Sequence, residues 1–168
     1  RVIHTSADFD YIQNLTFSDG AVEKALDALR NGADIITDTN MALSGINKKS
    51  LHALGGEAHC FMSDPDVAAE AKRRGITRAM VSMEKAARLS SDNLIFAIGN
   101  APTALIQLEQ LIREHQLAPK LIIGVPVGFV NVVEAKELIL QSGVPCIVAR
   151  GNKGGSNIAA AICNALLY

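Results

Sequence analysis

Short, continuously apolar runs alternate with longer amphipathic segments along most of the chain. Five of the runs predict β-strands, at 33–37, 57–60, 93–98, 120–124 and 145–149. The later runs are continuous stretches of apolar residues rather than alternating ones, which is typical of strands covered on both faces and therefore of a parallel sheet. Strand–helix alternation with short connections predicts a three-layer α/β/α, doubly wound, flavodoxin-like fold, with one domain over residues 1–168.

The amphipathic segments carry residues that commonly begin and end helices. Helices are predicted between residues 18–32, 63–75, 77–89, 102–116 and 131–143, and from 156 to near the C-terminus. Ser18 and Ser156 are predicted to cap the first and last of these helices with their side chains. Val2 and Ile3 are interpreted as the end of a further apolar strand.

Composition narrows the possible functions. The formal net charge is −1 and aromatic residues make up 4% of the chain, with no Trp, so neither a nucleic acid nor a membrane is expected as a partner. Cys60, Cys146 and Cys163 form no CxxC pair and are interpreted as reduced core residues. No run is long enough to span a bilayer and no signal peptide is visible, so a cytoplasmic protein is expected.

Ligands of open α/β sheets bind beyond the carboxyl ends of the strands. Gly, Asn, Thr or charged residues follow each predicted strand: His4 to Ser6, Thr37 to Met41, Gly99 to Thr103, Gly124 to Phe129 and Arg150 to Ser156. Because parallel strands place these segments at one edge, the sequence predicts a binding site there.

The segment RGNKGGS, residues 150–156, leads directly into the last predicted helix. Glycines allow backbone N–H groups to turn towards an anion, and Arg150 and Lys153 add positive charge. The segment matches neither the Walker A pattern nor GxGxxG. It is either an anion-binding loop or an ordinary glycine-rich connection.

Two other residues are candidates for chemistry. His4 is the only one of the four histidines at a predicted strand end, and histidine is the side chain suited to proton transfer near neutral pH. Arg78 lies in the first turn of a predicted helix, where a cation opposes the helix dipole, so a functional reason for it is plausible. No histidine pair has a metal-ligand spacing, so no catalytic metal is expected.

Five stretches together resemble one family. RVIHTSADFD, TDTNMALSGI, IGNAPTAL, IGVPVGFVNVVEAKE and ARGNKGGSNIAAA resemble, in order, the precorrin-8X methylmutase family of cobalamin biosynthesis. The resemblance implies a homodimeric isomerase that needs no organic cofactor and moves a methyl group from C11 to C12 of a corrin precursor. The substrate would be precorrin-8X or cobalt-precorrin-8, and the product hydrogenobyrinate or cobyrinate. Family members usually carry a short upstream segment that this chain lacks.

The resemblance also implies roles for residues. The histidine of the family's HTS motif matches His4 and is expected to protonate the ring C nitrogen, with Asp8 or Asp10 as possible partners of the imidazolium. The residues expected to bind substrate are Thr5, Ser6, Met41, Arg78, Gly99, Asn100, Gly124, Val125, Arg150, Lys153, Gly154 and Gly155. Among these, Met41 and Val125, with Val127 and Phe129, are expected to line an apolar cleft, and the cations to meet substrate carboxylates.

Two other classes of function remain open on the sequence. A non-catalytic tetrapyrrole carrier would bind the same ring without turnover. A nucleotide- or flavin-binding module is disfavoured, because the chain lacks a phosphate-loop pattern and suitable aromatic residues.

Overall fold

A six-stranded sheet forms the middle layer of the computed structural model, which describes residues 1–168. The strands are β1 (Leu15–Phe17), β2 (Asp34–Thr37), β3 (Ala58–Cys60), β4 (Leu94–Ile98), β5 (Leu121–Gly124) and β6 (Cys146–Ala149). Their order across the sheet is β1-β6-β5-β4-β2-β3. Strands β2 to β6 pair in parallel, and their order, second-first-third-fourth-fifth, is that of flavodoxin-like folds. The predicted fold class is confirmed.

The sixth strand was not predicted. β1 is three residues long and pairs antiparallel with β6, with Thr16 opposite Val148. It lies at the edge of the sheet, where Phe17 is exposed. Because β1 is short and incompletely buried, it lacks the continuous apolar run that marks the other strands.

Ten helices surround the sheet. They are α1 (Val2–Ser6), α2 (Tyr11–Asn14), α3 (Ala21–Arg30), α4 (Asn40–Gly45), α5 (Lys48–Ala53), α6 (Pro65–Arg74), α7 (Arg78–Ala87), α8 (Pro102–Arg113), α9 (Val132–Gln141) and α10 (Ser156–Leu167). The six longer helices confirm the predicted ones. The other four have four to six residues, too few for a helical period to show in the sequence.

Strands β4, β5 and β6, and β2 after Asp34, are buried on both faces, as their apolar runs predict. On one face, residues such as Ile35 and Ile123 pack against α3 and α10. On the other face, their neighbours Ile36 and Ile122 pack against α7, α8 and α9. Adjacent strand residues point to opposite faces, so every position must be apolar.

Three local predictions are wrong. Val2 and Ile3 are not the end of a strand but lie in α1, where Thr5 N–H donates to the Arg1 carbonyl. Ser18 does not cap α3, because its Oγ accepts a hydrogen bond from Cys146 N–H across the sheet edge. Ser156 is the first residue of α10 rather than its cap, and its Oγ bonds to Thr39.

All three cysteines are free thiols, as predicted. Cys146 and Cys163 are buried and Cys60 is half-buried. Burial raises the pKa of the Cys163 thiol to about 12, so this thiol stays protonated near neutral pH. None of the ten helices has both the length and the apolar composition that a bilayer span requires.

Candidate active site

The direction of the chain connections reverses between β2 and β4. The chain leaves β2 towards β3 at one edge, and leaves β4 towards β5 on the other side. In an open α/β sheet, this reversal opens a crevice beyond the carboxyl ends of the two strands. The residues that follow β2 and β4 therefore form the centre of the candidate site.

Asp38, directly after β2, is the buried charge at this crevice. Asp38 is almost completely buried, with only 1% of its surface exposed. Oδ1 accepts a hydrogen bond from Gly99 N–H at 2.8 Å, and Oδ2 accepts from Asn100 N–H at 2.8 Å and Ala101 N–H at 2.6 Å. Burial raises the pKa of Asp38, and the three amide donors oppose that shift. The carboxylate thus fixes the loop between β4 and α8.

The first turn of α10 closes against the same loop. Thr39 Oγ1 and Ser156 Oγ are 2.7 Å apart, which joins the end of β2 to the start of α10. A Cβ atom on Gly99 would lie 2.6 Å from Ser156 Cα, so only glycine fits at this approach. Gly99 is therefore a buried residue with a structural role, whereas the neighbouring Asn100 is exposed.

The glycine-rich loop before α10 packs against the end of β5. Gly155 N–H donates to the Val125 carbonyl at 2.9 Å. A Cβ atom on Gly154 would lie 2.0 Å from that carbonyl oxygen. Gly124 and Val125 are both fully buried. The expectation that the Val125 side chain lines a surface cleft is wrong, because that side chain packs in the core below the sheet edge.

Lys153 joins this loop to the N-terminal segment. Its Nζ lies 2.6 Å from an Asp8 carboxylate oxygen and 2.6 Å from one of Asp10. These hydrogen bonds raise the pKa of Lys153, and the bond from Lys153 lowers the pKa of Asp8. Asp8 and Asp10 therefore pair with Lys153, not with His4.

The same contacts place α1 along α10. The Arg1 guanidinium stacks over the Tyr168 ring, 4.4 Å from its centroid, at the far end of α10. Asp8 meets Lys153 just before the start of α10, so α1 runs antiparallel to it. His4 is exposed on α1, which ends at Ser6, two residues before Asp8. The structure thus places His4 on a helix rather than at a strand end, and Asp8, just after that helix, is bonded to the loop at the carboxyl edge.

The neighbours of His4 differ from each other. Thr5 is exposed, whereas the Ser6 hydroxyl donates to the Val2 carbonyl at 2.8 Å and accepts from Asp8 N–H at 3.2 Å. Ser6 therefore stabilises the end of α1.

The remaining predicted residues lie around the carboxyl edge. Met41, in the first turn of α4, is 71% exposed. Arg78 begins α7 and is exposed, and the adjacent Thr77 bonds to Thr103 of α8 at 2.9 Å. Arg150 is exposed, with Nε 3.4 Å from a Glu137 oxygen on α9. Met41 thus follows β2, Arg150 follows β6, and Arg78 begins the helix bonded to the start of α8.

The loop after β5 contributes an exposed apolar surface. Val127, Phe129 and Val130 are 48%, 90% and 76% exposed. The Asn152 side chain donates to the Gly128 carbonyl at 2.7 Å, and Gly128 N–H donates to the Asn152 carbonyl at 3.1 Å. The apolar loop is thereby attached to the cationic loop that carries Arg150 and Lys153.

A surface cavity lies elsewhere, at the other edge of the sheet. It has a volume of about 850 Å³ and is lined by residues such as Asp92, Lys120 and Ser142, at the amino ends of the strands. None of the predicted site residues lines it, so this cavity and the candidate site are at opposite edges of the sheet.

Fold and site together define a class: a flavodoxin-like α/β protein with its candidate site at the carboxyl edge. A family model described as precorrin-8X methylmutase matches residues 1–168. The cobalt-precorrin-8 methylmutase of Salmonella typhimurium is 51% identical over 168 residues, which are 100% of this chain and 78% of the relative. The precorrin-8X methylmutase of Pseudomonas aeruginosa is 39% identical, over 99% of this chain and 80% of the relative.

Solved structures agree. The precorrin-8X methylmutase of Thermus thermophilus superposes with a TM-score of 0.88 at 38% identity, covering 99% of this chain and 81% of that one. A precorrin-8X methylmutase related protein superposes with a TM-score of 0.90 at 33% identity, covering 99% and 86%. The chain belongs to the precorrin-8X methylmutase family, whose members are isomerases of cobalamin biosynthesis.

Replacing Asp38 with Asn should destabilise the fold by about 1–3 kcal/mol, because an amide offers one acceptor oxygen to three buried N–H donors. Asp34→Asn is the control at the other end of β2, since Asp34 accepts one hydrogen bond, from Glu57 N–H at 2.8 Å, and its Oδ2 lies 3.9 Å from His59 Nε2. Urea unfolding with an unchanged m-value measures both variants. Equal midpoints for Asp38→Asn and the wild type would show that the three hydrogen bonds do not hold the loop.

Gly99→Ala should lower the unfolding midpoint well below that of Gly124→Ala. The Cβ at position 99 meets backbone 2.6 Å away, whereas at position 124 the nearest atom, Val148 Cγ2, is at an ordinary 3.4 Å. Thermal unfolding followed by circular dichroism compares the pair. If both variants melted together, the close approach of α10 to the β4 loop would be refuted.

Proposed function

We propose that the chain catalyses the methyl shift from C11 to C12 of precorrin-8X or cobalt-precorrin-8, giving hydrogenobyrinate or cobyrinate. The shift rearranges one conjugated macrocycle and so needs neither a nucleophile nor a redox centre. It needs electron density to be drawn from ring C while the methyl group migrates. A proton donor aimed at the ring C nitrogen supplies that pull.

His4 is the proposed donor. It is exposed on α1, and the two carboxylates that follow it in sequence are held by Lys153. Its imidazole is therefore not locked in an ion pair with Asp8 or Asp10. The observation that carries the proposal is this pair of salt bridges, because they bring the His4 helix to the glycine-rich loop at the carboxyl edge.

The chemistry of the edge suits the substrate. A corrin precursor is a broad, apolar ring fringed with carboxylates. The exposed Met41, Val127 and Phe129 offer apolar surface to the ring, and the exposed Arg78 and Arg150 offer guanidinium groups to its carboxylates. Thr5 and Asn100, both exposed, are proposed as further contacts. Gly99, Gly124, Val125, Gly154 and Gly155 are proposed to act through backbone placement, and Ser6 by holding the end of α1.

A homodimer in the cytoplasm is the proposed working form. The N-terminal helices leave large apolar side chains uncovered, with Phe9 73% and Ile12 65% exposed. Phe17, on the edge strand β1, is 50% exposed. Surfaces of this kind commonly mark protein interfaces.

The first experiment follows the visible spectrum of precorrin-8X mixed with the purified protein. The wild type should produce the hydrogenobyrinate chromophore. His4→Ala should lower kcat by roughly 100- to 10,000-fold, the range of general acid catalysis, and retain product binding within a few-fold. His52→Ala, at an exposed histidine of α5, is the control and should turn over normally.

Two outcomes would contradict the proposal. Substantial turnover by His4→Ala would remove His4 from the proton-donor role. A bound spectrum without conversion of either precorrin-8X or cobalt-precorrin-8 by the wild type would indicate a carrier in place of an enzyme.

Phe9→Asp should convert the proposed dimer to a monomer in light scattering coupled to gel filtration, because it places a charge in the interface. The exposed Met41→Asp on α4 should remain dimeric. A monomeric wild type would overturn the proposed assembly.

A further inference from the structure

Lys136 on α9 is a fully buried lysine that forms no salt bridge. The residue is 0% exposed. Its Nζ donates to the Gly151 carbonyl at 2.6 Å and the Lys153 carbonyl at 2.9 Å. A buried ammonium is costly unless its donors are satisfied, so two backbone carbonyls as sole partners are an unusual arrangement for a residue with only a packing role.

The two bonds fix the orientation of two peptide units. In a planar trans peptide, C=O and N–H point in opposite directions, and the chain contains no cis peptide. With the Gly151 and Lys153 carbonyls turned towards Nζ, the N–H groups of Asn152 and Gly154 must point away from it. Neither N–H donates to a backbone acceptor in the protein, and the same is true of Gly151 and Lys153 N–H.

The conformation of the 151–154 loop determines where the Lys153 side chain and the free backbone N–H groups lie. The Lys153 side chain extends from it to Asp8 and Asp10 and thereby holds the helix that carries His4. The free N–H groups, together with Arg150, form a set of donors suited to a carboxylate. Residue 136 thus acts on both parts of the candidate site without being exposed to a ligand.

Building on the proposed function, we propose that Lys136 is a positioning residue of the methylmutase site. Its buried ammonium turns the 151–154 backbone so that free amide N–H groups meet a carboxylate of the corrin substrate, and so that Lys153 holds the His4 segment. Lys136 touches no substrate atom.

The test replaces Lys136 with Met, which keeps the length of the side chain and removes both donors. The dissociation constant for hydrogenobyrinate and the KM for precorrin-8X should each rise by about tenfold or more, while kcat falls by less. This is the pattern of an interaction made equally in the ground and transition states. Ile139→Ala, also fully buried on α9, is the control for lost stability. It should unfold more easily and bind product like the wild type.

The possible results are separable. If the wild type fails to turn over, the proposed function fails, whereas product binding still tests Lys136. If the wild type turns over and a folded Lys136→Met variant has unchanged KM and product affinity, the positioning role is wrong and the proposed function stands.

The pH dependence provides a second readout that does not need the Met variant to fold. Burial lowers the pKa of Lys136 from 10.5 to about 8. The charged residues on the elements around Lys136 are Arg150 and Lys153 on the loop, Glu134 and Glu137 on α9, and Glu109 and Arg113 on α8. None of the salt bridges that these residues form includes Lys136. Above pH 8 the Lys136 ammonium should therefore lose its charge, whereas Lys153, whose pKa is raised, should keep its charge.

Product affinity of the His4→Ala protein, which lacks the imidazole, should fall as the pH rises from 7 to 9.5. Stability should change in the opposite direction. Between about pH 8 and 10.5 the unfolded chain holds the Lys136 proton more tightly than the folded one, so the folded state gains stability as the pH rises. An affinity that stays constant across this range would overturn the role of the Lys136 charge.

Discussion

The carboxylate of Asp38 is the interaction on which the carboxyl edge depends. It accepts hydrogen bonds from three consecutive backbone N–H groups of the loop after β4, at the point where the direction of the sheet connections reverses. Because these donors belong to residues 99–101, the carboxylate fixes where α8 begins and how closely α10 approaches. An ionic acceptor satisfies buried amides more strongly than a neutral one, which explains a charge at a residue that is almost fully buried.

A second buried charge, of opposite sign, binds the loop before α10 at the same edge of the sheet. Lys136 bonds to two carbonyls of the loop before α10, as Asp38 bonds to three amides of the loop before α8. In both cases a charged side chain satisfies backbone groups that no strand or helix pairs. The exposed residues proposed to meet the substrate are thus supported by a layer of buried polar contacts. In the proposed mechanism, accurate placement of the proton donor matters more than reactive groups.

The fold was predictable because its main signal is local. Strands covered on both faces must be apolar at every position, and residues 94–98 and 121–124 show this in the sequence directly. The buried charge of Asp38 has no local feature that separates it from a surface residue. Lys136 does fall on the buried face of α9, with Val132, Ala135 and Ile139, but the sequence does not show which groups it bonds to. Their role depends on partners 61 and 15 positions away. The helical state of His4 was missed for a related reason, since α1 has five residues and is stabilised by packing on α10.

The family resemblance pointed to His4 as the candidate proton donor, and the structure corrects the prediction of its neighbours. The sequence suggested Asp8 or Asp10 as its partners, whereas both carboxylates bind Lys153. They therefore hold the segment after α1, the helix that carries the proposed proton donor, to the loop before α10. A crystal structure of the protein with bound hydrogenobyrinate tests this view most directly. It should show an imidazole nitrogen of His4 within hydrogen-bond reach, about 2.6–3.2 Å, of the ring C nitrogen, and the ring at the carboxyl edge. A product bound at the opposite edge, or with ring C turned away from His4, would contradict it.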